Sequence, residues 1–214
     1  MIAFFNAFTK ITGWVVQKLC FRTKVYYVDK KTQGRRIKGS AIIISNHTSV
    51  FDYAVFLFVF WSRTLRYQMA EVLFQKKLMA LFLKLMGGIF VDRGSHDFDF
   101  MLKCEKILNK GGVVGIFPEG RLPVEGESRP LPFQVGAAQL ALMTGAPIIP
   151  VYTNGSYFNK KRARVIIGKP FYAADLISEQ DDYKTNLQIV TEKMRNNIIE
   201  LEGSLSEMIE DEKR

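Results

Sequence analysis

The sequence predicts an α/β fold: a mixed, largely parallel sheet flanked by helices, with an N-terminal amphipathic membrane-docking helix. Short β-branched or aromatic runs alternate with helix-like segments, which is typical of a sheet with helices on its faces. The first segment differs, because its apolar residues recur at steps of three and four between basic residues. We therefore expect a membrane-associating helix over residues 1–24 and one further domain over residues 25–214.

Strands are predicted where Val, Ile, Tyr or Phe cluster in short runs, and helices where apolar residues recur at helical spacing. The predicted strands are Val25–Val28, Ala41–Ser45, Tyr67–Ala70, Ile89–Val91, Val113–Phe117, Ile148–Tyr152 and Arg164–Ile167. The predicted helices are Tyr53–Ser62, Gln75–Met86, Phe98–Asn109, Phe133–Thr144 and Tyr183–Ile209. Residues 130–159 carry no charge, but prolines and glycines divide them into a helix, a turn at Gly145 and a buried strand.

The N-terminal segment over residues 2–21 has one apolar stripe. Its members are Phe4, Phe8, Ile11, Val15 and Leu19. Lys10 and Lys18 interrupt the apolar run, so the segment is a poor membrane span. Residues 1–38 hold nine Lys or Arg residues against Asp29, a net charge of +8. Stripe and charge together favour docking on a membrane surface with anionic lipids over a helix packed on the protein's own core.

Several classes of protein are excluded by missing motifs. Cys20 and Cys104 lie 84 residues apart without a CxxC pair, which argues against a disulfide framework or a zinc site. Unpaired cysteines are typical of a reducing, cytosolic compartment. His47 and His96 are too far apart for a metal motif, so we expect no metal. The sequence also lacks the GxxxxGK[ST] phosphate loop and the GxSxG elbow of serine hydrolases.

The segment NHTSVFD, residues 46–52, follows a predicted strand and contains the elements of a general base. A carboxylate fixes the tautomer of a histidine, whose other nitrogen then takes a proton from a hydroxyl. Five residues on a regular helix differ by about 140° around its axis, given ~3.6 residues per turn. His47 must therefore lie before the helix or in its first turn, with Asp52 reaching back. The alternative is that Thr48 or Ser49 caps the helix and His47 is a surface residue.

Three more clusters follow or contain predicted strands. In GGIFVDR, residues 87–93, the planar guanidinium of Arg93 is suited to phosphate oxygens or to an ion pair with an acid. In FPEGR, residues 117–121, Glu119 is suited to a substrate hydroxyl or to holding Arg93, and the flexible Gly120 allows close approach of a ligand. The fourth cluster, APIIPV, residues 146–151, is apolar and reads as a buried strand.

These four clusters, in this order, resemble those of the glycerolipid acyltransferase family, in particular its bacterial 1-acyl-sn-glycerol-3-phosphate acyltransferases. The resemblance implies transfer of an acyl group from acyl-CoA or acyl carrier protein to the hydroxyl of 1-acylglycerol 3-phosphate, giving phosphatidic acid. It implies that His47 is the base and that Asp52 orients it. The substrate-binding residues implied are Asn46, Arg93, Glu119, Gly120 and Arg121. The resemblance also implies an enzyme at the cytoplasmic face of a membrane, with no cofactor beyond the thioester co-substrate.

Two positions depart from the family pattern. Arg121 follows Gly120 directly, where the family has a threonine and then an arginine, and Met69 stands where many relatives carry lysine. Backbone N–H groups near His47 or Gly120 are expected to stabilise the oxyanion of the transferred acyl group. The alternatives are a thioesterase, an acyltransferase for another lysolipid, and a non-catalytic module binding a membrane or nucleic acid. The four clusters together favour the enzyme, with no nucleic-acid partner.

Overall fold

A computed structural model of the chain describes residues 1–92, 99–158 and 162–214. The N-terminal segment comprises helix α1 (Ile2–Thr12), the short helix α2 (Trp14–Val16) and a π-helical turn over Gln17–Phe21. The predicted N-terminal helix is therefore present, and its winding changes at Gly13 and again at Gln17. Gly13 lies against the body of the protein, where an added Cβ would be 3.0 Å from the Phe58 ring.

Within the described residues seven strands form one sheet, each where the sequence predicts a strand. They are β1 (Lys24–Tyr27), β2 (Ala41–Ser45), β3 (Leu65–Ala70), β4 (Ile89–Val91), β5 (Val113–Ile116), β6 (Ile148–Thr153) and β7 (Arg164–Ile167). Their order across the sheet is β1-β7-β6-β2-β5-β3-β4. Neighbouring strands are parallel except β6 and β7, which confirms the mixed, largely parallel sheet.

Helices cover both faces of the sheet, as expected of an α/β fold. They are α3 (Asp52–Val59), α4 (Lys77–Met86), α5 (Asp99–Asn109), α6 (Gly136–Thr144) and α7 (Tyr183–Asp211). Helices α3 and α4 share one hydrophobic cluster with the sheet, and α5, α6 and α7 share the other. Strand β2 is buried at every position because both its faces are covered: Ile42 and Ile44 face one cluster and Ile43 the other.

Within the uncharged stretch over residues 130–159, the described residues fold as predicted into helix, turn and strand. Helix α6 begins at Gly136, three residues later than predicted, because the Gln134 N–H donates to the Pro118 carbonyl at 2.8 Å and holds this segment extended. Gly145 ends the helix in the left-handed region, with φ +62°. No helix in the described parts of the chain has the length and apolarity that crossing a membrane requires.

Candidate active site

The candidate site lies at the carboxyl ends of neighbouring parallel strands. Residues 46–52 follow β2, and residues 117–121 follow β5, which pairs with β2 in parallel. Strand β6 flanks β2 on its other side and ends at Thr153. This edge of an open α/β sheet is where functional loops collect. The first and third sequence clusters therefore meet in space, although about 70 residues separate them.

His47 and Asp52 are in contact, in the geometry that their spacing requires. His47 lies in the loop before α3, and Asp52 is the first residue of that helix. The imidazole Nδ1 is 2.8 Å from Asp52 Oδ2. In the described residues the other ring nitrogen, Nε2, has no hydrogen-bond partner, and the side chain is 19% exposed. A carboxylate-held histidine with a free Nε2 is suited to take a proton from a hydroxyl.

Asp52 is fully buried and accepts hydrogen bonds from several groups besides His47. Its Oδ2 accepts from the backbone N–H groups of Thr48 at 2.7 Å and Ser49 at 2.9 Å. Its Oδ1 accepts from the Thr48 hydroxyl at 2.8 Å and the Tyr157 hydroxyl at 2.6 Å. A carboxylate buried without hydrogen-bond donors would be costly, and these groups supply the donors. The same bonds hold the loop, so Thr48 and Ser49 support the Asp52–His47 pair directly. Neither caps α3, whose N-cap is Phe51.

Tyr157 is a site residue that sequence reasoning missed. Burial, together with the nearby Asp52 carboxylate, raises the pKa of this phenol far above its usual range, so the hydroxyl remains a donor. The ring is held by Phe21, which packs edge-on at 5.5 Å between ring centroids. Tyr157 lies 105 residues from Asp52 in an uncharged, poorly patterned stretch. No local sequence pattern identifies Tyr157 as a site residue, because it comes close to Asp52 only when β6 pairs with β2 in the sheet.

The ring of Phe117 stacks on the imidazole of His47. Its ring lies 4.1 Å from the imidazole of His47, centroid to centroid, with an angle of 11° between the planes. Sequence reasoning placed Phe117 as the last residue of a strand, but β5 ends at Ile116. The ring therefore follows the strand and limits the orientations open to His47.

Glu119 positions the loop through two backbone hydrogen bonds. Its Oε1 accepts from the N–H of His47 at 2.7 Å, and its Oε2 accepts from the N–H of Leu131 at 2.9 Å. The residue is only 4% exposed. These contacts give Glu119 a role that the sequence did not suggest, which is to fix the backbone at His47. Its predicted contact with substrate stays a prediction.

The side chain of Asn46 is also hydrogen-bonded within the protein. Its side-chain amide makes a reciprocal pair with the backbone of Thr153: Nδ2 donates to the carbonyl and Oδ1 accepts from the N–H, both at 2.9 Å. This pair joins the ends of β2 and β6 beside His47. Asn46 therefore holds the site together, and a direct contact with substrate stays a prediction.

Gly120 and Arg121 lie at the surface end of the third cluster. Gly120 adopts φ +72°, and its N–H donates to the Phe117 carbonyl at 3.0 Å in a tight turn. Both terminal nitrogens of Arg121 donate to Glu127, at 2.7 and 2.6 Å. The Arg121 contact lowers the pKa of Glu127 to about 2. Arg93 lies outside the described residues, so its contacts stay a prediction.

The expected oxyanion donors are engaged elsewhere. The N–H of His47 donates to Glu119, those of Thr48 and Ser49 donate to Asp52, and that of Gly120 donates to a carbonyl. These four N–H groups already have acceptors within the protein, and stabilisation of an oxyanion by backbone N–H groups near His47 or Gly120 stays a prediction. Among the residues that the structure describes, no group of three His, Cys, Asp or Glu side chains could hold a metal ion.

Comparison with known proteins agrees with this geometry. The family model described as acyltransferase matches residues 11–154, well over half of the chain. The chain belongs to the acyltransferase family. This acyltransferase is 32% identical over 149 residues to the 1-acyl-sn-glycerol-3-phosphate acyltransferase of Bacillus subtilis, a match covering 67% of the chain and 72% of the relative.

Two further relatives extend the comparison. A 1-acyl-sn-glycerol-3-phosphate acyltransferase of Borreliella burgdorferi is 31% identical over 130 residues, covering 58% of this chain and half of that protein's length. The crystal structure of the 1-acyl-sn-glycerophosphate acyltransferase of Thermotoga maritima superposes with a TM-score of 0.65 at 19% identity. That match covers 94% of this acyltransferase and 79% of the other chain, and it shows that the two share a fold.

Replacing Tyr157 by phenylalanine removes the hydrogen bonds between its hydroxyl and Asp52 Oδ1, at 2.6 Å, and Thr153 Oγ1, at 3.0 Å. Because a buried hydrogen bond to a charged group contributes about 1.5–3 kcal/mol, we expect the free energy of unfolding to fall by at least that amount. Turnover is expected to fall about tenfold through looser positioning of Asp52. The raised pKa keeps the phenol protonated throughout an assay from roughly pH 7 to 10, so the ratio of wild-type to variant rates should not change with pH. A ratio that falls toward one as the pH rises would show that the phenol ionises and refute this role.

Proposed function

We propose that this acyltransferase moves an acyl group from an acyl thioester to the free hydroxyl of 1-acylglycerol 3-phosphate, giving phosphatidic acid, with His47 as general base. The observation that carries the proposal is the His47–Asp52 pair, in which a fully buried carboxylate holds Nδ1 and no described residue occupies Nε2. The curated relatives named for this reaction supply the acceptor.

The proposed reaction is a direct transfer. Nε2 of His47 removes the proton of the acceptor hydroxyl as its oxygen attacks the thioester carbonyl carbon. The C–O ester bond forms, the C–S bond breaks, and the imidazolium returns its proton to the departing thiolate. Asp52 stabilises the imidazolium between these steps. Both acyl-CoA and acyl carrier protein thioesters are proposed donors, and no cofactor besides the thioester takes part.

The phosphate of the acceptor needs a cation beside the site. We assign this role to Arg93, as the family pattern implies. Arg121 is a second candidate because it is exposed and lies two residues from Glu119. Its guanidinium is bonded to Glu127, so a phosphate would have to compete with that carboxylate. Glu127 thus limits how readily Arg121 contributes.

The proposed location is the surface of a membrane, on its cytoplasmic side. The predicted apolar stripe is solvent-exposed, while the polar Asn6 faces the body and donates to the Met86 carbonyl at 3.3 Å. Helix α4 lies beside α1, with the rings of Phe5 and Phe82 5.9 Å apart. We call a set of exposed apolar side chains on α1, α2 and α4 the outer face: Phe4, Phe8, Ile11, Trp14, Val15, Leu78, Leu81 and Phe82. Two unpaired cysteines support the reducing, cytoplasmic side.

The test of the reaction is thiol release from a long-chain acyl-CoA by the purified protein in detergent, with and without 1-acylglycerol 3-phosphate. We expect release only with the acceptor, and phosphatidic acid as the product. Release without acceptor would replace the proposal with a thioesterase. If acyl-CoA is inert, the same assay with an acyl carrier protein thioester identifies the donor. Inertness toward both donors would refute the proposed reaction.

Replacing Phe4 and Ile11 by glutamine tests the outer face. Both side chains are more than three-quarters exposed, so the fold should tolerate the change. Burying a side chain of this size contributes about 1.5–3 kcal/mol, so each loss should weaken binding to phosphatidylcholine vesicles about tenfold. Cosedimentation with vesicles measures the effect. Leu102→Gln, an exposed apolar position on the opposite layer, is the control and should bind like wild type.

A further inference from the structure

A cavity of about 620 Å³ lies between the N-terminal segment and the end of α3. Its wall combines aromatic rings with cationic groups. The aromatic and cationic residues that line it are Trp14, Phe58, Trp61, Lys10, Lys18 and Arg35. None of the described residues that line it is acidic. The wall therefore carries three formal positive charges beside three aromatic rings.

The three cations have no carboxylate partner in the part of the chain that the structure describes. Lys10 Nζ donates to the carbonyls of Trp61 at 2.9 Å and Arg63 at 2.7 Å. Arg35 donates to two carbonyls at the end of α3. Lys18 lies over the ring of Trp14, 5.6 Å from its centroid. Burial without a counter-charge lowers the pKa of Lys10 to about 8, which an anion in the cavity would offset.

The cavity opens beside the outer face. Trp14 and Trp61 are 56% and 65% exposed, and Ile11 belongs both to the cavity wall and to the outer face. Tryptophan is the residue that prefers the headgroup level of a membrane, where its ring is apolar and its N–H is polar. An anionic ligand that also carries acyl chains matches both the charges and the position. A free phosphate would match the charges alone.

We propose that this cavity binds the phosphodiester headgroup of an anionic membrane lipid, at a place separate from the catalytic site. The eight residues of α3 span about 12 Å, with Asp52 at one end and the cavity at the other. The phosphate oxygens accept from Lys10, Lys18 and the free N–H groups of Arg35, and the glycerol lies against the tryptophans. The inference rests on the proposed docking of the outer face, because that docking brings lipid to the opening.

The two tryptophans of the cavity wall are the only two in the protein, so intrinsic fluorescence reports its occupancy. The probe is dihexanoyl phosphatidylglycerol below its critical micelle concentration, which is not the proposed substrate. We expect a saturable spectral shift, and about tenfold weaker binding of dihexanoyl phosphatidylcholine and of inorganic phosphate. Equal affinity for the two lipids would overturn the inference. Inorganic phosphate binding as tightly as the anionic lipid would replace the lipid site with a phosphate site.

Lys18→Gln is the variant that tests the charge. Because a surface Lys or Arg contributes about 1 kcal/mol to binding an anionic lipid, we expect roughly fivefold weaker binding of the phosphatidylglycerol probe. Lys184→Gln makes the same charge change on the exposed start of α7 and should leave the affinity unchanged. An unchanged affinity in Lys18→Gln, or an equal loss in Lys184→Gln, would overturn the inference. Thermal melting checks that both variants fold.

Binding to vesicles distinguishes the proposed lipid site in the cavity from the proposed docking of the outer face. Phosphatidylcholine vesicles measure the outer face alone, and vesicles with added phosphatidylglycerol measure both contributions. We expect Lys18→Gln to lose only the increment due to phosphatidylglycerol. No binding of wild type to either vesicle would refute the docking, while a saturable fluorescence titration would still support the cavity. Equal binding to both vesicles and to both short-chain lipids would refute the cavity and leave the docking intact.

Discussion

Replacing His47 by alanine is expected to lower turnover by at least about 10²-fold, because a positioned general base contributes ~10²–10⁴ in rate. The protein should still fold. Asp52 keeps its donors from Thr48, Ser49 and Tyr157 when the imidazole is removed, so the buried carboxylate is not left without partners. The measurement is acceptor-dependent thiol release at saturating substrates, with the melting temperature followed in parallel.

The matched control is His47→Gln, which fills much of the same space. It should be as slow as the alanine variant, because an amide is not a base. If either variant turns over at a rate near that of the wild type, His47 is not the base and the proposed mechanism is wrong. A large fall in melting temperature would instead show that the Phe117–His47 stack is needed for folding.

The strands of this protein are predictable because their sequences are locally unambiguous. The first four residues of the run AIIIS are apolar, as two covered faces require, and β2 has the predicted bounds. The position of His47 ahead of α3 was likewise predictable, since a five-residue spacing cannot align two side chains on a regular helix. Local geometry therefore predicts where His47 must lie for the two side chains to meet, and the structure shows that they do meet.

The sequence does not predict the hydrogen bonds between residues that follow different strands of the sheet. Glu119 is a residue type that can bind a substrate hydroxyl, but its carboxylate accepts hydrogen bonds from the backbone N–H groups of His47 and Leu131. Asn46 is paired with the backbone of Thr153. Both contacts depend on which strands become neighbours, and the order β6-β2-β5 is a property of the whole chain. Residue type alone does not distinguish a ligand of the substrate from a ligand of the backbone.

The outer face shows a related limit. An amphipathic stripe predicts that one side of a helix is buried, without indicating whether protein or lipid buries it. In α1 the polar Asn6 and the ammonium of Lys10 face the body, and both find backbone carbonyls there. The stripe is left exposed. The tertiary placement of these polar groups shows that the described parts of the protein do not bury the stripe, and its burial by lipid stays a proposal.

Replacing Asp52 by asparagine should also lower turnover by about 10²-fold or more, while the fold is kept. The amide oxygen can take the place of Oδ2 and accept from the N–H groups of Thr48 and Ser49 and from His47. The amide NH₂ then faces the hydroxyls of Thr48 and Tyr157, which can rotate to accept. What is lost is the negative charge that stabilises the imidazolium. Since charge-assisted hydrogen bonds become neutral ones, the free energy of unfolding should fall by about 1–3 kcal/mol.

The double variant decides whether the two residues act as one unit. If Asp52 acts only through His47, then adding Asp52→Asn to His47→Ala should slow the enzyme no further, because the group that the carboxylate serves is already gone. Independent roles would instead multiply the two losses. The same comparison with Tyr157→Phe extends the test to the next hydrogen bond. A rate for the double variant well below that of His47→Ala would mean that Asp52 contacts the substrate itself, which its full burial argues against.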